Sequence, residues 1–480
     1  MALPKELSKQ ARNFSQHSKN NKLKGKVKMS KFQAGYASVN INPPLGIGVD
    51  GYYIPRYASG FYDDITASAL SLAMDEKKFI IISVDCCLFP NPLIERMKDR
   101  IVASTELQRE NIIISATHTH TGPTMAVPGF PADADQVHKY VDFVVERIAN
   151  LSTLALKELK PARMGYMVGH APDRIAYIRR YKMKDGSTQT CPPVEDPNID
   201  HPIGELDQRV NVLRFDREGA DSVVLLNYGL HADTVNGDVL SSDWPGWVKR
   251  TVEKALDGTK CICVMGAQGD VGSTNVHPLP GDMNDTEISF DNEMKSPGMA
   301  RFVGRALAGT ILQVYDKVAY IDVDDIEVIH KCLNVETNVP DKKDLPLAHK
   351  YKELHEAGRD DLIPYKAMEL TTVVAEAMRM CRLENGPYTI PLNMIGLRIG
   401  SVAFVAIPGE PFTDVGVQIK DTPGWDMILP CALVNGYNGY FPMKSAFDEG
   451  GYEARTSTYK SGVAEKIIEA GKDILSELRK

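Results

Sequence analysis

Two histidines lie one residue apart between an apolar run and a Gly-Pro turn. They are His118 and His120 in the segment SATHTHTGP, which directly follows three isoleucines. Side chains along a β-strand alternate between its faces, so the two rings are predicted to point the same way. Two imidazoles at a strand end offer one metal ligand and one neighbouring acid/base group. A pair of surface or hydrogen-bonded histidines remains the alternative for this pattern alone.

Three further polar residues follow apolar runs that are typical of buried strands. His231 closes SVVLLNYGLH, Glu410 follows VAFVAIPG, and Asp270 follows CICVMGAQG. In α/β folds, functional groups gather where strands end and loops begin. Two histidines and a carboxylate are an open zinc set, which leaves room for a water molecule. Each residue alone could equally be a cap or a turn residue, as Asp270 beside Gly269 illustrates.

The elements that must position these residues alternate along the chain. Apolar strand patterns open at Phe32 and recur before and after charged turns, and helical spacing of apolar residues predicts helices over 92–105 and 132–159. Further helices are predicted from about Asp243, after the polar loop 269–296, within 340–384 and after Thr413. This alternation predicts an α/β fold with a large mixed sheet. Since no clean linker interrupts it, we expect one catalytic domain over 33–480.

Composition excludes some classes of protein. The 480 residues carry a formal net charge of -8, which argues against a nucleic-acid partner or a stable membrane association. Residues 1–32 form a basic segment, predicted to be a disordered tail without the apolar core of a signal peptide. The eight cysteines form no CxxC pair and favour reduced thiols in the cytoplasm. No apolar run approaches the about 18 residues of a membrane span.

Several motifs, in order, resemble the neutral, non-lysosomal ceramidases, which are zinc amidases. SATHTHTGP is similar to that family's HTH-[ST]-GP segment, YGLHADTV to the segment of its second zinc histidine, and IPGEPFT to that of its carboxylate ligand. NGYNGY, followed twelve residues later by a second tyrosine, resembles its late tyrosine motif. The resemblance implies zinc bound by His118, His231, Glu410 and Tyr440, with Tyr452 polarising the scissile carbonyl. PDRIAYIRR is a weaker match that implies a substrate-site role for Arg174.

The chain also departs from the family pattern. Gly272 stands where the family has an active-site serine, and Ser273 could replace that serine only if the loop shifts by one residue. The chain ends about thirty residues after the tyrosine motif, so we expect the family's C-terminal β-sandwich to be absent. The segment after HTHTGP offers only Val127 and Phe130 as sizeable apolar groups, and the loop after Asp270 is polar and acidic. These features favour a soluble substrate over ceramide.

The sequence therefore predicts a zinc-dependent hydrolase in which a metal-bound hydroxide attacks an amide (N-acyl) carbonyl of a small molecule. His120 is predicted to relay a proton, Tyr452 and Arg174 to stabilise the oxyanion, and Asp270 to orient a ligand histidine. A lactone or ester hydrolase, or an enzyme converting a sugar derivative, is the alternative on the same scaffold. A catalytically silent binding protein is a third hypothesis, and a homo-oligomer is compatible with all three.

Overall fold

The computed structural model describes residues 32–126, 134–282 and 295–480. Within them the strands are β1 (Phe32–Asn40), β2 (Gly60–Phe61), β3 (Thr66–Met74), β4 (Lys77–Val84), β5 (Ile112–Ala116), β6 (Lys160–His170), β7 (Tyr177–Ile178), β8 (Arg180–Met183), β9 (Thr188–Thr190), β10 (Ile199–Pro202), β11 (Arg209–Arg217), β12 (Ser222–Tyr228), β13 (Val239–Leu240), β14 (Thr259–Met265), β15 (Val271–Gly272), β16 (Ala319–Ile321), β17 (Ile326–Glu336), β18 (Thr389–Ile399), β19 (Val402–Ala406), β20 (Glu410–Pro411), β21 (Met427–Cys431) and β22 (Tyr440–Phe441).

The helices are α1 (Asn91–Val102), α2 (Ala134–Lys157), α3 (Asp243–Ala255), α4 (Pro297–Val314), α5 (Leu345–Glu356), α6 (Ala367–Leu383), α7 (Thr413–Lys420), α8 (Lys444–Glu449), α9 (Tyr452–Thr456) and α10 (Val463–Glu477). The predicted helix over 132–159 is α2, and the one over 92–105 is α1. The helical segment predicted within 340–384 is two helices, α5 and α6, separated by a turn that contains Pro364.

Nine strands form one mixed sheet in the order β14-β12-β11-β6-β1-β3-β4-β5, with β16 paired to β6. The pairs β12/β14 and β4/β5 are parallel and the other pairs are antiparallel. Strands such as β4 and β12 are buried almost throughout because both faces of this sheet are covered. The predicted α/β fold with a large mixed sheet is confirmed.

The covering layers follow from the alternation of side chains. One face of the large sheet, with Ile80, Val212 and Leu226, packs on α2, α3 and α4. Its other face packs against a second, four-stranded sheet, β17-β18-β19-β21, whose far side in turn carries α7 and α10. The layers are therefore helix, sheet, sheet and helix.

The large sheet curls so that its two ends approach each other. Ser83 Oγ on β4 donates to the Cys263 carbonyl on β14 at 2.6 Å. The segment 432–435, which follows β21, lies between the end strands: Ala432 N donates to Met265 O, and Asn435 N donates to Ile114 O. The loops that follow β5, β12 and β19 are thereby brought to one place.

The described residues belong to one compact unit. Apart from Phe32, which begins β1, the predicted tail lies outside the described residues, as do Val127 and Phe130. No helix in the described ranges is long and apolar enough to cross a membrane.

Candidate metal centre

His118 lies in the loop after β5, two residues beyond the end of the strand. Its backbone is left-handed, with φ +62°, and its side chain is buried. Nδ1 lies 2.8 Å from the Cys87 carbonyl oxygen, which can only accept a hydrogen bond. The ring is therefore the tautomer with a proton on Nδ1, and its Nε2 lone pair is free. This nitrogen lies 3.1 Å from Glu410 Oε2.

His231 follows β12 and is oriented in the same manner. Its Nδ1 lies 2.8 Å from the Gln268 carbonyl and 3.1 Å from that of Val271, so Nδ1 again carries the proton. Nε2 lies 2.9 Å from the same Glu410 oxygen. Burial lowers the pKa of His231 to about 4, which keeps the imidazole neutral and able to bind a metal.

Glu410 completes the set from the loop after β19. Its Oε1 accepts from the Tyr437 hydroxyl at 2.9 Å. Its Oε2, although buried between two imidazoles, has no hydrogen-bond partner of acceptable geometry among the described residues. The ligand atoms of His118, His231 and Glu410 all lie within 4.8 Å of one another. Burial favours a neutral carboxyl, but the two imidazoles hold the pKa of Glu410 well below its usual range.

Two imidazole Nε2 atoms thus converge on one carboxylate oxygen. Burial opposes a charge on His118, but Glu410 raises the pKa of this histidine, so the carboxylate favours a cation at this point, either a proton on His118 or a metal ion between the three groups. Without such a cation, the arrangement is unfavourable in a dry interior. Nitrogen and oxygen ligands of this kind, three in number with one position open, suit zinc. The residues present fit the predicted metal.

Tyr440 is held against Glu410 by backbone pairing. The two-residue strands β20 and β22 run parallel, with Glu410 opposite Tyr440. The buried Tyr440 ring lies 6.4 Å from the His231 ring, with an interplanar angle of 21°. Burial and the nearby Glu410 raise the pKa of its phenol well above its usual value. The structure brings the fourth predicted ligand to the centre.

His120 adjoins the three ligands from a different side. Its Nε2 lies 3.3 Å from His118 Nε2, and its Nδ1, which has no hydrogen-bond partner in the described parts of the chain, lies 3.7 Å from Asp233 Oδ1. Burial holds the pKa of His120 well below its usual value. The two rings meet as predicted but for another reason, since β5 has ended at Ala116 and the left-handed turn at His118 sets their direction.

A charged cluster that the motifs did not indicate supports His120. Asp233 Oδ1 accepts from the Tyr52 hydroxyl at 2.5 Å, and Asp233 also pairs with Lys295. Lys295 Nζ lies 3.1 Å from the Tyr52 hydroxyl. Asp233 is two residues from His231 in HADTV, and this proximity is the one sequence signal that could have identified it. Tyr52 and Lys295 are distant in sequence and carry no such signal.

The structure places Arg174 away from the ligand set. Its guanidinium is 40% exposed and pairs with Asp282, and none of its contacts with described residues reaches the ligand set. Arg179 lies at the centre instead. Its Nη1 is 3.2 Å from His231 Nε2, its Nε donates to Glu453 Oε1 at 2.7 Å, and its Nη2 donates to the Gly269 carbonyl. PDRIAYIRR contains both Arg174 and Arg179. The motif therefore indicated the correct segment, although the prediction named Arg174 and not Arg179.

Asp270 is also placed differently from its prediction. The acceptors for the two ligand histidines are backbone carbonyls, so Asp270 orients neither ring. Its Oδ1 accepts from Thr413 N at 2.7 Å and from Thr413 Oγ1 at 2.9 Å, at the first turn of α7. It is a helix cap, the alternative that the sequence left open. Burial raises its pKa to about 6.

Tyr452 and Ser273 border the centre. The Tyr452 ring lies edge-on to that of Tyr440, with centroids 5.6 Å apart, and its hydroxyl lies 3.4 Å from that of Tyr53. Ser273 is buried, and its hydroxyl has no partner among the described residues. A Cβ at the neighbouring Gly272 would meet the Arg179 side chain at 3.6 Å, an ordinary contact. The place of the family serine therefore adjoins the arginine that the structure brings to the centre.

Comparisons with known proteins agree with this architecture. No family model matches the chain. It is similar to neutral ceramidase A of Dictyostelium discoideum, with 23% identity over 246 residues. That match covers 48% of this chain and about a third, 33%, of the relative's length.

Two solved structures share the fold. The neutral ceramidase of Pseudomonas aeruginosa matches 93% of this chain and 74% of its own, with a TM-score of 0.68 and 15% identity. A ceramidase complexed with C2 matches 93% and 75%, with a TM-score of 0.67 and 15% identity. The predicted likeness to the neutral ceramidases is confirmed.

Proposed function

We propose that this neutral ceramidase-like chain is a zinc-dependent hydrolase that cleaves an N-acyl bond of a small soluble compound. The proposal rests above all on the convergence of His118 Nε2, His231 Nε2 and Glu410 Oε2. Both histidines are fixed in the metal-binding tautomer by backbone carbonyls, and Tyr440 is the proposed fourth ligand. Zinc at such a site acts as a Lewis acid and lowers the pKa of a bound water to about 7.

The surrounding side chains suit the charges that develop during acyl transfer. Arg179, whose Nη1 lies 3.2 Å from His231 Nε2, and Tyr452, whose ring adjoins that of Tyr440, are proposed to donate to the oxyanion. His120, whose pKa burial holds well below its usual value, lies 3.3 Å from His118 through Nε2 and is proposed to accept a proton and pass it to the leaving nitrogen. Asp233, clamped by Tyr52 and Lys295, keeps the unpaired Nδ1 side of His120 next to a carboxylate. This environment favours a protonated Nδ1 and leaves Nε2 free for proton transfer.

Elemental analysis tests the metal. Purified full-length protein should contain about one zinc per chain, and His118→Ala and Glu410→Gln should each lose most of it because three ligands share the ion. His330→Ala is the matched control, since this histidine is exposed and its hydrogen bond within the described ranges goes to the Glu110 carbonyl, away from the ligand set. Retention of stoichiometric zinc in both ligand variants would contradict the proposed site.

A substrate panel tests the reaction. Zinc-loaded protein should hydrolyse N-acetylated amino acids with higher kcat/KM than detergent-dispersed long-chain ceramides. Lactones and simple esters in the same panel separate an amidase from the alternative hydrolases. Efficient ceramide cleavage, near the about 10⁴–10⁸ M⁻¹s⁻¹ of natural enzyme–substrate pairs, would overturn the soluble-substrate proposal.

The cytoplasm is the proposed location. The eight cysteines are unpaired, and five of them are buried. Buried thiols of this kind are typical of a reducing compartment. When thiols are trapped with an alkylating agent in intact cells, no disulfide-bonded form of the protein should be found. A disulfide-bonded or exported form would contradict the proposal.

A further inference from the structure

A cavity adjoins the metal centre on the side of the tyrosines. It has a volume of about 270 Å³. Five tyrosine rings contribute to its wall, together with polar groups and one cation; the rings are Tyr53, Tyr437, Tyr440, Tyr452 and Tyr459. Tyr437 connects it to the metal ligands, because its hydroxyl donates to Glu410 Oε1 while its ring lines the cavity. The cavity is therefore lined directly by one proposed metal ligand, Tyr440, and by Tyr437, which is hydrogen-bonded to another.

The cavity contains one buried polar group with no partner. Tyr459 is fully buried, and its hydroxyl forms no hydrogen bond with any residue that the structure describes. Buried hydroxyl groups in folded proteins are normally hydrogen-bonded, because an unpaired one costs free energy. A ligand atom is a candidate for the missing partner.

Arg382 is the single charged residue among those that line the cavity. Its Nη2 donates to the neutral Thr458 hydroxyl at 3.0 Å, and no described carboxylate lies within 4.0 Å of it. A guanidinium presents five N–H donors in a planar fork that matches a carboxylate. One cation suits a monoanion, and the nearby Glu410 carboxylate disfavours an occupant with two negative charges.

We infer that this cavity binds the carboxylate-bearing part of the substrate, with Arg382 as the specificity-determining residue. The substrate class is an N-acyl compound with a free carboxylate close to the scissile amide, of the size of an N-acyl amino acid. Its body lies between tyrosine rings, its carboxylate on Arg382, and its acyl group toward the metal. This inference rests on the proposed function, since it assigns one end of the same substrate.

A matched pair of compounds tests the inference. N-acetyl-L-leucine and N-acetyl-L-leucinamide differ by the carboxylate, and zinc-loaded full-length protein should prefer the acid by roughly tenfold or more in kcat/KM, mostly through KM. Arg382→Gln should abolish the preference, and Arg382→Lys, which keeps the charge, should retain part of it. Equal KM values for the two compounds, or a preference that survives in Arg382→Gln, would overturn the inference.

A second variant and a binding measurement separate this inference from the proposed hydrolysis. Tyr459→Phe removes only the unpaired hydroxyl, so its Tm should not fall while KM for N-acetyl-L-leucine rises. If neither compound is cleaved although zinc is bound, the proposed amidase activity fails. Calorimetry with N-acetyl-L-leucine then tests whether the cavity binds the carboxylate. Binding that is lost in Arg382→Gln supports the inference, and absence of binding to the wild type refutes it.

Discussion

The two ligand histidines are oriented by main-chain carbonyls and not by side chains. Cys87 O and Gln268 O each accept the Nδ1 proton of one ring. A carbonyl cannot be removed by substitution and has no proton to exchange, so the tautomer of each ring is fixed by the fold. The orientation of the ligand histidines therefore depends on how firmly the loops after β4 and β14 are held. The position of the backbone, and not the identity of single side chains, sets the geometry of the metal centre.

Two of the three arginines of PDRIAYIRR, Arg174 and Arg179, allow a direct test at the residue scale. Arg179→Gln should lower kcat about 10²–10³-fold, because a buried donor beside the reacting carbonyl is lost, with zinc content retained. Arg174→Gln should leave kcat unchanged, since the described contacts of Arg174 are with Asp282 and the Pro280 carbonyl and not with the ligand set. Both variants are measured on the same cleaved compound, together with zinc content and Tm.

Arg179→Lys is the control for charge, since it keeps a cation near Glu453 but loses the planar fork. An Arg174 variant as impaired as Arg179→Gln would restore the original assignment of roles.

The sequence could indicate the motif but not the arginine that acts. Arg179 is placed by β7, a strand of two residues that pairs with β15, and its backbone N–H donates to the Asp270 carbonyl at 3.0 Å. A two-residue, non-local pairing leaves no periodic pattern in the chain. Arg174 instead lies at a left-handed position, with φ +71°, before that pairing begins. His118, Glu410 and Tyr440 were identifiable because their motifs are local.

At the scale of elements, helices with a clear apolar stripe were predicted to within a few residues. The interior of α2 repeats buried residues such as Val137, Val141 and Val144 at helical spacing. The pairing of β20 with β22 was not predictable, since neither strand exceeds two residues and both exist only because the loops carrying Glu410 and Tyr440 meet. The site thus depends most on the elements that carry the weakest sequence signal.

The cap of α7 by Asp270 gives a prediction for stability against pH. Burial raises the pKa of this carboxyl from 3.8 to about 6. Between about pH 4 and 6 the folded protein therefore holds a proton that the unfolded chain has released, so this contribution to the free energy of unfolding falls as the pH rises. Asp270→Asn keeps an acceptor for Thr413 N without the ionisation. Relative to the wild type, its stability should increase from pH 4 to pH 6, by roughly 3 kcal/mol at most.

Asp270→Ala is the comparison variant, because it lacks both the cap and the ionisation and should be about 1 kcal/mol less stable than Asp270→Asn at either pH. Denaturant unfolding at the two pH values measures both. A stability difference between wild type and Asp270→Asn that is independent of pH would show that the carboxyl is already ionised at pH 4 in the folded protein.

At the scale of the whole molecule, the metal centre exists because the large sheet closes. His118 follows one end strand, β5, whereas His231 follows β12, next to the other end strand, β14. A flat sheet would separate them by its full width. The segment 432–435 joins the ends, and it also donates to the Glu410 loop, from Leu433 N to the Gly409 carbonyl and from Val434 N to the Ile407 carbonyl. One irregular segment therefore fixes the relative position of all three ligands.

Asn435 is the residue of that segment that a substitution can test. Its side chain accepts from Ile114 N at 2.8 Å and donates to Ile112 O at 3.1 Å, so it pairs the free edge of β5. Its φ of +54° is a left-handed conformation that glycine adopts freely and alanine does not.

Asn435→Gly removes both side-chain hydrogen bonds and should cost about 1–3 kcal/mol of unfolding free energy. Asn435→Ala should cost about 1–2 kcal/mol more, because it adds backbone strain. Since β5 is then held less firmly against the rest of the site, both variants should bind zinc more weakly although every ligand is intact. Zinc affinity is measured by competition with a chelator, beside Asn198→Gly, an exposed asparagine outside the closure, as control. If the variants lose stability but bind zinc as tightly as the wild type, the positions of the ligands are set by their own loops, and closure of the sheet serves stability alone.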